Sequence, residues 1–343
     1  MRPSPNGGIV TDPTMEPEIQ AQLQALEAQL EADPSSELAR QEILYAYGAS
    51  GLVDHPRRLH HVVEYIRRFP RTEIARAPFV SVDAEALPEA FAAVEQVWAR
   101  LQQEHPADPE IARGFAAFVA ASDPPRAMRI LEDALRAHPE NAGLWLEIGR
   151  ICPDPGRRLG AFLKVRGLGA SHPNILTLTA RAALDAGDAS AAKATADQLL
   201  ALVAQARSVH GEKLDWPERG RDLWQRVRAA SAGDQEARRI VGAIADHANH
   251  KHWAHTTLGL LAVRDGDVTA ACHHLRESAA IVGDPRLSSY GPSFKLAREL
   301  YRLESWDAVT DYLRACERFW DVDVLRSWQR QVAQRQTPEF PDR

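Results

Sequence analysis

The chain has 343 residues, 45% of them apolar, and a formal net charge of -6. That much apolar material excludes a disordered chain, and the mildly acidic balance argues against a general affinity for nucleic acid. No stretch approaches the roughly 18 consecutive apolar residues of a membrane span, so the sequence predicts none.

Residues 1–16, with Pro3, Pro5, Gly7, Gly8 and Pro13, read as a disordered tail with no visible signal peptide. Met1 and Met15 are both candidate starts. A closing helix is expected over Glu18–Glu31, ahead of Asp33-Pro34. From there prolines recur: Pro34, Pro70, Pro106, Pro139 and Pro173 stand 36, 36, 33 and 34 residues apart, three of them after a histidine. Proline removes a backbone donor and clashes with the preceding turn, so a helix is expected to stop at the same phase each time. A period near 34 residues predicts a helix–turn–helix unit repeated along a solenoid.

The units follow in order. Ala39–Pro70 keeps Tyr45, Ala46, Val62 and Tyr65 but has Arg58 at a small crossing position, and Ala75–Pro106 keeps Val82, Val94, Trp98 and Leu101. The unit at 108–139 has Phe118, Ala127, Leu131 and Ala134, with Phe115 in place of a glycine. In the strongest unit, 142–172, Trp145, Ile148 and Gly149 precede the turn Pro155-Gly156 and then Ala161, Val165 and Leu168. Units at 173–207 and 252–285 carry the turns Gly187-Asp188 and Gly266-Asp267; 219–250 keeps Gly233-Asp234, and 290–321 keeps Leu296-Ala297 and Cys316. Glycine there accepts a left-handed backbone and aspartate caps the next helix. Ser208–Glu218 reads as a loop between repeats, Asp323–Gln336 as a second closing helix, and 337–343 as a loose tail.

These residues resemble the tetratricopeptide repeat family, whose pattern is Trp-x2-Leu-Gly-x2-Tyr, then Ala, Phe, Ala and Pro at fixed offsets. The ending from Ser289 to Trp320 resembles that of bacterial proteins carrying such repeats. The resemblance implies an all-α fold: a right-handed α-solenoid of about eight helix hairpins with capping helices, one superhelical domain over 17–336. It also implies a module that binds a peptide or protein partner in a concave groove, as scaffold or adaptor. In this family the first helix of each unit lines the groove. Its offsets here give Arg150 and Asp154, Arg181 and Asp185, Trp253 and Arg264, then Phe294, Arg298, Tyr301 and Arg302. Arginines beside aromatics on one inner face suit an acidic ligand or one with a free C-terminal carboxylate, because guanidinium pairs such groups bidentately. The alternative is that these arginines form a solvated helix face.

Six of thirteen histidines lie between His247 and His274. His247 and His250, and His252 and His255, are each spaced i, i+3 and flank a predicted turn, where four metal ligands would converge. No recognised zinc spacing accompanies them, and the expectation is no structural metal. No Gly-x-Ser-x-Gly, P-loop or Rossmann fingerprint occurs. The alternative to a binding module is therefore an enzyme or enzyme subunit centred on the junction at 247–274; no cofactor is indicated. Ser288–Gly291 before Pro292 reads as a helix cap or an anion seat. Cys152, Cys272 and Cys316, odd in number and far apart, suggest reduced thiols and a cytoplasmic protein.

Overall fold

A computed structural model describes residues 17–170, 172–210, 248–281, 287 and 291–341. Among them there are fifteen α-helices and no strand. The chain divides into two compact units, the first through Pro153 and the second from Asp154. The division falls inside the predicted repeat at 142–172.

The first unit holds α1 (Pro17–Ala32), α2 (Glu37–Ala49), α3 (Pro56–Arg68), α4 (Pro88–Glu104), α5 (Pro109–Val119), α6 (Pro124–Ala137) and α7 (Ala142–Ile151). Each packs on its neighbour in the chain, and α5 also packs on α7, as stacked helix pairs require. Pro34, Pro70, Pro106 and Pro139 each stand at the second residue after a helix, behind α1, α3, α4 and α6. Side-chain caps start the next helices: Ser36 accepts from the Ala39 amide, Asp108 from Glu110 and Ile111, Asp123 from Arg126, and Asn141 from Leu144.

The unit expected over Ala75–Pro106 has no first helix. Two short 3-10 turns, Glu73–Arg76 and Pro78–Val80, replace it. Pro78 drives Ala77 into the extended region (ψ 150°). Arg58, at 2% exposure, then donates to the carbonyls of Phe79 at 3.0 Å and Ser81 at 2.7 Å, and to that of Val53. The residue that breaks the repeat pattern thus holds the irregular segment in place. Close helix approach comes from Gly114 and not from position 115: a Cβ there would lie 2.2 Å from the buried Trp98 ring.

The second unit holds α8 (Pro155–Gly167), α9 (Pro173–Asp185), α10 (Ala189–His210), α11 (Ala248–Arg264), α12 (Val268–Ala279), α13 (Lys295–Arg302), α14 (Trp306–Cys316) and α15 (Val322–Ala333). Pro173 opens α9 here, with the His172 ring accepting from the Asn174 amide. Gly187 (φ 76°) and Gly266 (φ 77°) take the left-handed backbone expected of them, and Asp188 and Asp267 cap the following helices. Residues 208–210 continue α10, so the expected loop begins no earlier than 211, outside the described residues. Most of the unit predicted at 219–250 also lies outside them. First helices stack on first helices: α9 packs on α11, and α11 on α13. A Cβ on Gly259 of α11 would lie 2.2 Å from Leu296 of α13, so the glycine sets that spacing.

The tail expected from 337 is irregular but packed. Pro338 is buried, and Phe340, 7% exposed, belongs to the core of the second unit.

Candidate ligand-binding cleft

The stacked helices α9, α11 and α13 each turn a cationic residue toward one cleft of about 240 Å³. Arg181 and Asp185 come from one face of α9, Trp253, Leu260 and Arg264 from α11, and Lys295, Arg298 and Glu299 from α13. The Arg181 guanidinium lies 4.2 Å from the centre of the Trp253 ring. Burial lowers its pKa, partly offset by Asp185, yet an arginine remains charged at neutral pH. Among the described residues it makes no hydrogen bond and no ion pair.

Both carboxylates of the cleft are engaged by arginines that do not line it: Asp185 by Arg158 at 3.1 Å, and Glu299 by Arg302 at 2.7 Å. Arg264 donates to the Leu184 carbonyl at 3.0 Å and Arg298 to that of Phe340 at 2.6 Å. Among the described residues, four cations line the cleft with two acids already shared with outside arginines. In a partly desolvated cleft that excess favours an anion.

Of the residues expected in the groove, Arg181, Trp253, Arg264 and Arg298 meet here. Lys295 was missed; it lies one turn ahead of Arg298 on the same face, a spacing that becomes legible once α13 is known to begin at 295. Arg302 does not line the cleft and is 64% exposed. Tyr301 packs on the hydrophobic core, and Phe294 is fully buried among Tyr312, Trp320, Trp328 and Phe340. Arg150 belongs to the first unit and pairs with Glu147 at 3.4 Å. Asp154 is the N-cap of α8, accepting from the Arg157 amide.

No turn separates His250 from His252: both lie inside α11, which runs unbroken from Ala248. His250 meets the Thr177 hydroxyl at 2.8 Å. His252, fully buried, accepts the Ser293 amide proton at Nε2 (2.9 Å), so Nδ1 carries the hydrogen and donates to the Ser278 carbonyl (3.0 Å). Burial depresses its pKa to about 4. His255 Nδ1 stands 3.0 Å from His274 Nδ1, and burial lowers His255 to about 4 as well. These imidazoles turn to separate partners, and no group of three or more metal-ligating side chains occurs among the described residues; His247 lies outside them. Ser288–Tyr290 lie outside them too. Gly291 (φ 81°) has the Trp320 ring 2.6 Å from where a Cβ would sit, and α13 starts after Phe294 instead of at Pro292. No helix among the described residues is long and apolar enough to cross a membrane.

No protein-family model matches the chain, and no curated protein does. Among solved structures, a human IFIT1 dimer with PPP-AAAA is similar over 93% of this chain and 78% of its own, at 13% identity and a TM-score of 0.30. The TPR domain of P58(IPK) is similar over 93% of this chain and 94% of its own, at 12% identity and a TM-score of 0.22.

Proposed function

We propose that the second unit is a peptide- or protein-binding module whose cleft between α9, α11 and α13 takes an acidic segment or a carboxylate end of a partner. The observation that carries this reading is Arg181, held over Trp253 in a partly desolvated position and making no hydrogen bond or ion pair among the described residues. A guanidinium so placed presents its donor fork already oriented, which reduces the ordering cost of pairing a carboxylate. Arg264, Lys295 and Arg298 surround it and set the sign of the ligand.

The test is calorimetric titration with hexaglutamate, hexalysine and hexa-adenylate as probes. Hexaglutamate is expected to bind, with an affinity that falls on adding salt. Arg181→Gln is expected to weaken it at least about tenfold, the order of one lost charge-assisted contact. Arg136→Gln, an exposed arginine of the first unit paired with Asp133, is expected to leave it unchanged. Binding of hexa-adenylate in preference to hexaglutamate, or equal affinity in the Arg181→Gln protein, sinks the proposal.

A further inference from the structure

Beyond α15 the chain reverses and returns along its own unit. Arg335 takes a left-handed backbone (φ 59°), which costs a residue with a side chain. Its guanidinium lies 3.2 Å from the centre of the Trp306 ring, and the Gln336 amide donates to the Gln331 carbonyl, so the reversal is held on both sides. Residues 337–341 then run Thr-Pro-Glu-Phe-Pro without secondary structure. The Phe340 amide donates to the Pro338 carbonyl, closing a three-residue turn around the exposed Glu339. The two prolines restrict the residues before them, so the segment is stiff for its length.

Phe340 enters an aromatic recess. Its ring stacks on Phe294 with centroids 5.4 Å apart and planes 6° apart, and meets Trp328 edge-on at 5.3 Å. Trp320 closes the recess against Phe294 and Trp328. The carbonyl of the same Phe340 receives the Arg298 hydrogen bond at 2.6 Å. One residue therefore joins the aromatic recess to a cation of the cleft.

We propose that residues 337–341 are an intramolecular ligand, a strap that fills an aromatic peptide site and restrains Arg298, so that strap and acidic ligand compete. The coupling, though not the recess, rests on the function proposed above. A carboxylate is a stronger acceptor for a guanidinium than a neutral carbonyl. A ligand that takes Arg298 weakens the strap's polar anchor, and by reciprocity loss of the strap tightens the ligand. A backbone held in a costly conformation at Arg335 places the hinge where release relieves strain.

The test uses the full chain and its Phe340→Ala variant. The variant is expected to melt at lower temperature and to bind hexaglutamate about 5-fold tighter or more, the lower end of ordinary coupling. The free pentapeptide Thr-Pro-Glu-Phe-Pro is expected to raise the Tm of the variant, whose recess is vacant, and not that of the wild type; the pentapeptide with alanine for phenylalanine is expected to do neither. In the wild type, hydrogen exchange over 337–341 is expected to quicken when hexaglutamate is added, a measurement that needs no variant should Phe340→Ala fail to fold. A pentapeptide that never raises the variant's Tm overturns the proposal. So does an unchanged hexaglutamate affinity in Phe340→Ala, or unchanged exchange, in a wild type that binds the probe. If the wild type binds no hexaglutamate, the reading of the cleft has failed, and the pentapeptide rescue alone decides the strap.

Discussion

His252 makes the second unit sensitive to mild acid, and the size of the effect follows from its two hydrogen bonds. The Ser293 amide has only a proton to offer, so Nε2 must stay unprotonated for the bond to exist. Protonating it sets two donors against each other in a fully buried place, and burial is the main reason the pKa falls to about 4. In the unfolded chain a histidine titrates near 6.5. A base with a depressed folded pKa is bound by protons first in the unfolded state, so its stability is complete above about pH 6.5 and lost as the pH falls toward 4. The linkage relation with these two values gives a loss of roughly 2 kcal/mol between about pH 7 and pH 5, and roughly 3 kcal/mol by pH 4. His252→Gln supplies the reference: its amide oxygen can accept from Ser293 but does not titrate. It is expected to be less stable than the wild type near neutrality, by about 1 kcal/mol for the weakened bond to Ser278. The gap should close or reverse by about pH 5, because only the wild type carries this proton uptake. Urea unfolding followed by far-UV circular dichroism at several pH values measures it. Parallel stability profiles for the two proteins would refute the reasoning, whatever their absolute stabilities; His255, also lowered to about 4, is common to both and cancels.

Two further expectations concern packing. Arg58→Met should destabilise the first unit by roughly 2–4 kcal/mol, because it strands the carbonyls of Val53, Phe79 and Ser81, and hydrogen exchange over 77–83 should quicken; a change within experimental error would show that the segment holds itself. Gly259→Ala should cost roughly 1–3 kcal/mol by driving a methyl into Leu296, and adding Leu296→Ala should give less than the sum of the two single changes in urea unfolding; strict additivity would refute the contact.

Helix positions were legible in the sequence because proline, glycine and capping residues act locally. The helix foreseen at Glu18–Glu31 is Pro17–Ala32, and the one foreseen at Asp323–Gln336 is Val322–Ala333. The first half of Ala75–Pro106 misled because its apolar residues keep repeat spacing while Pro78 prevents the helix. The carbonyls at 79 and 81 meanwhile find Arg58 from 21 and 23 residues away, a contact no local pattern announces.

Side-chain direction was less legible than helix position, and the reason is angular. Each residue advances about 100° around a helix, so a template misplaced by one residue exchanges groove for core. The repeat pattern puts Trp145 in the core; the structure buries Leu144 completely and leaves Trp145 partly exposed, its indole donating to the Pro139 carbonyl at 2.8 Å. The same one-residue displacement moves the close-approach glycine from 115 to 114. In α9 and α11 the residues at those offsets, Arg181, Trp253 and Arg264, line one cleft together. In α13 the residues at the offsets part. Phe294 precedes the helix and is drawn into the aromatic core, and Arg302, its last residue, turns to Glu299. What locates the cleft is thus not the arginine count but the register of three helices, and register is decided by which neighbour each buried side chain finds.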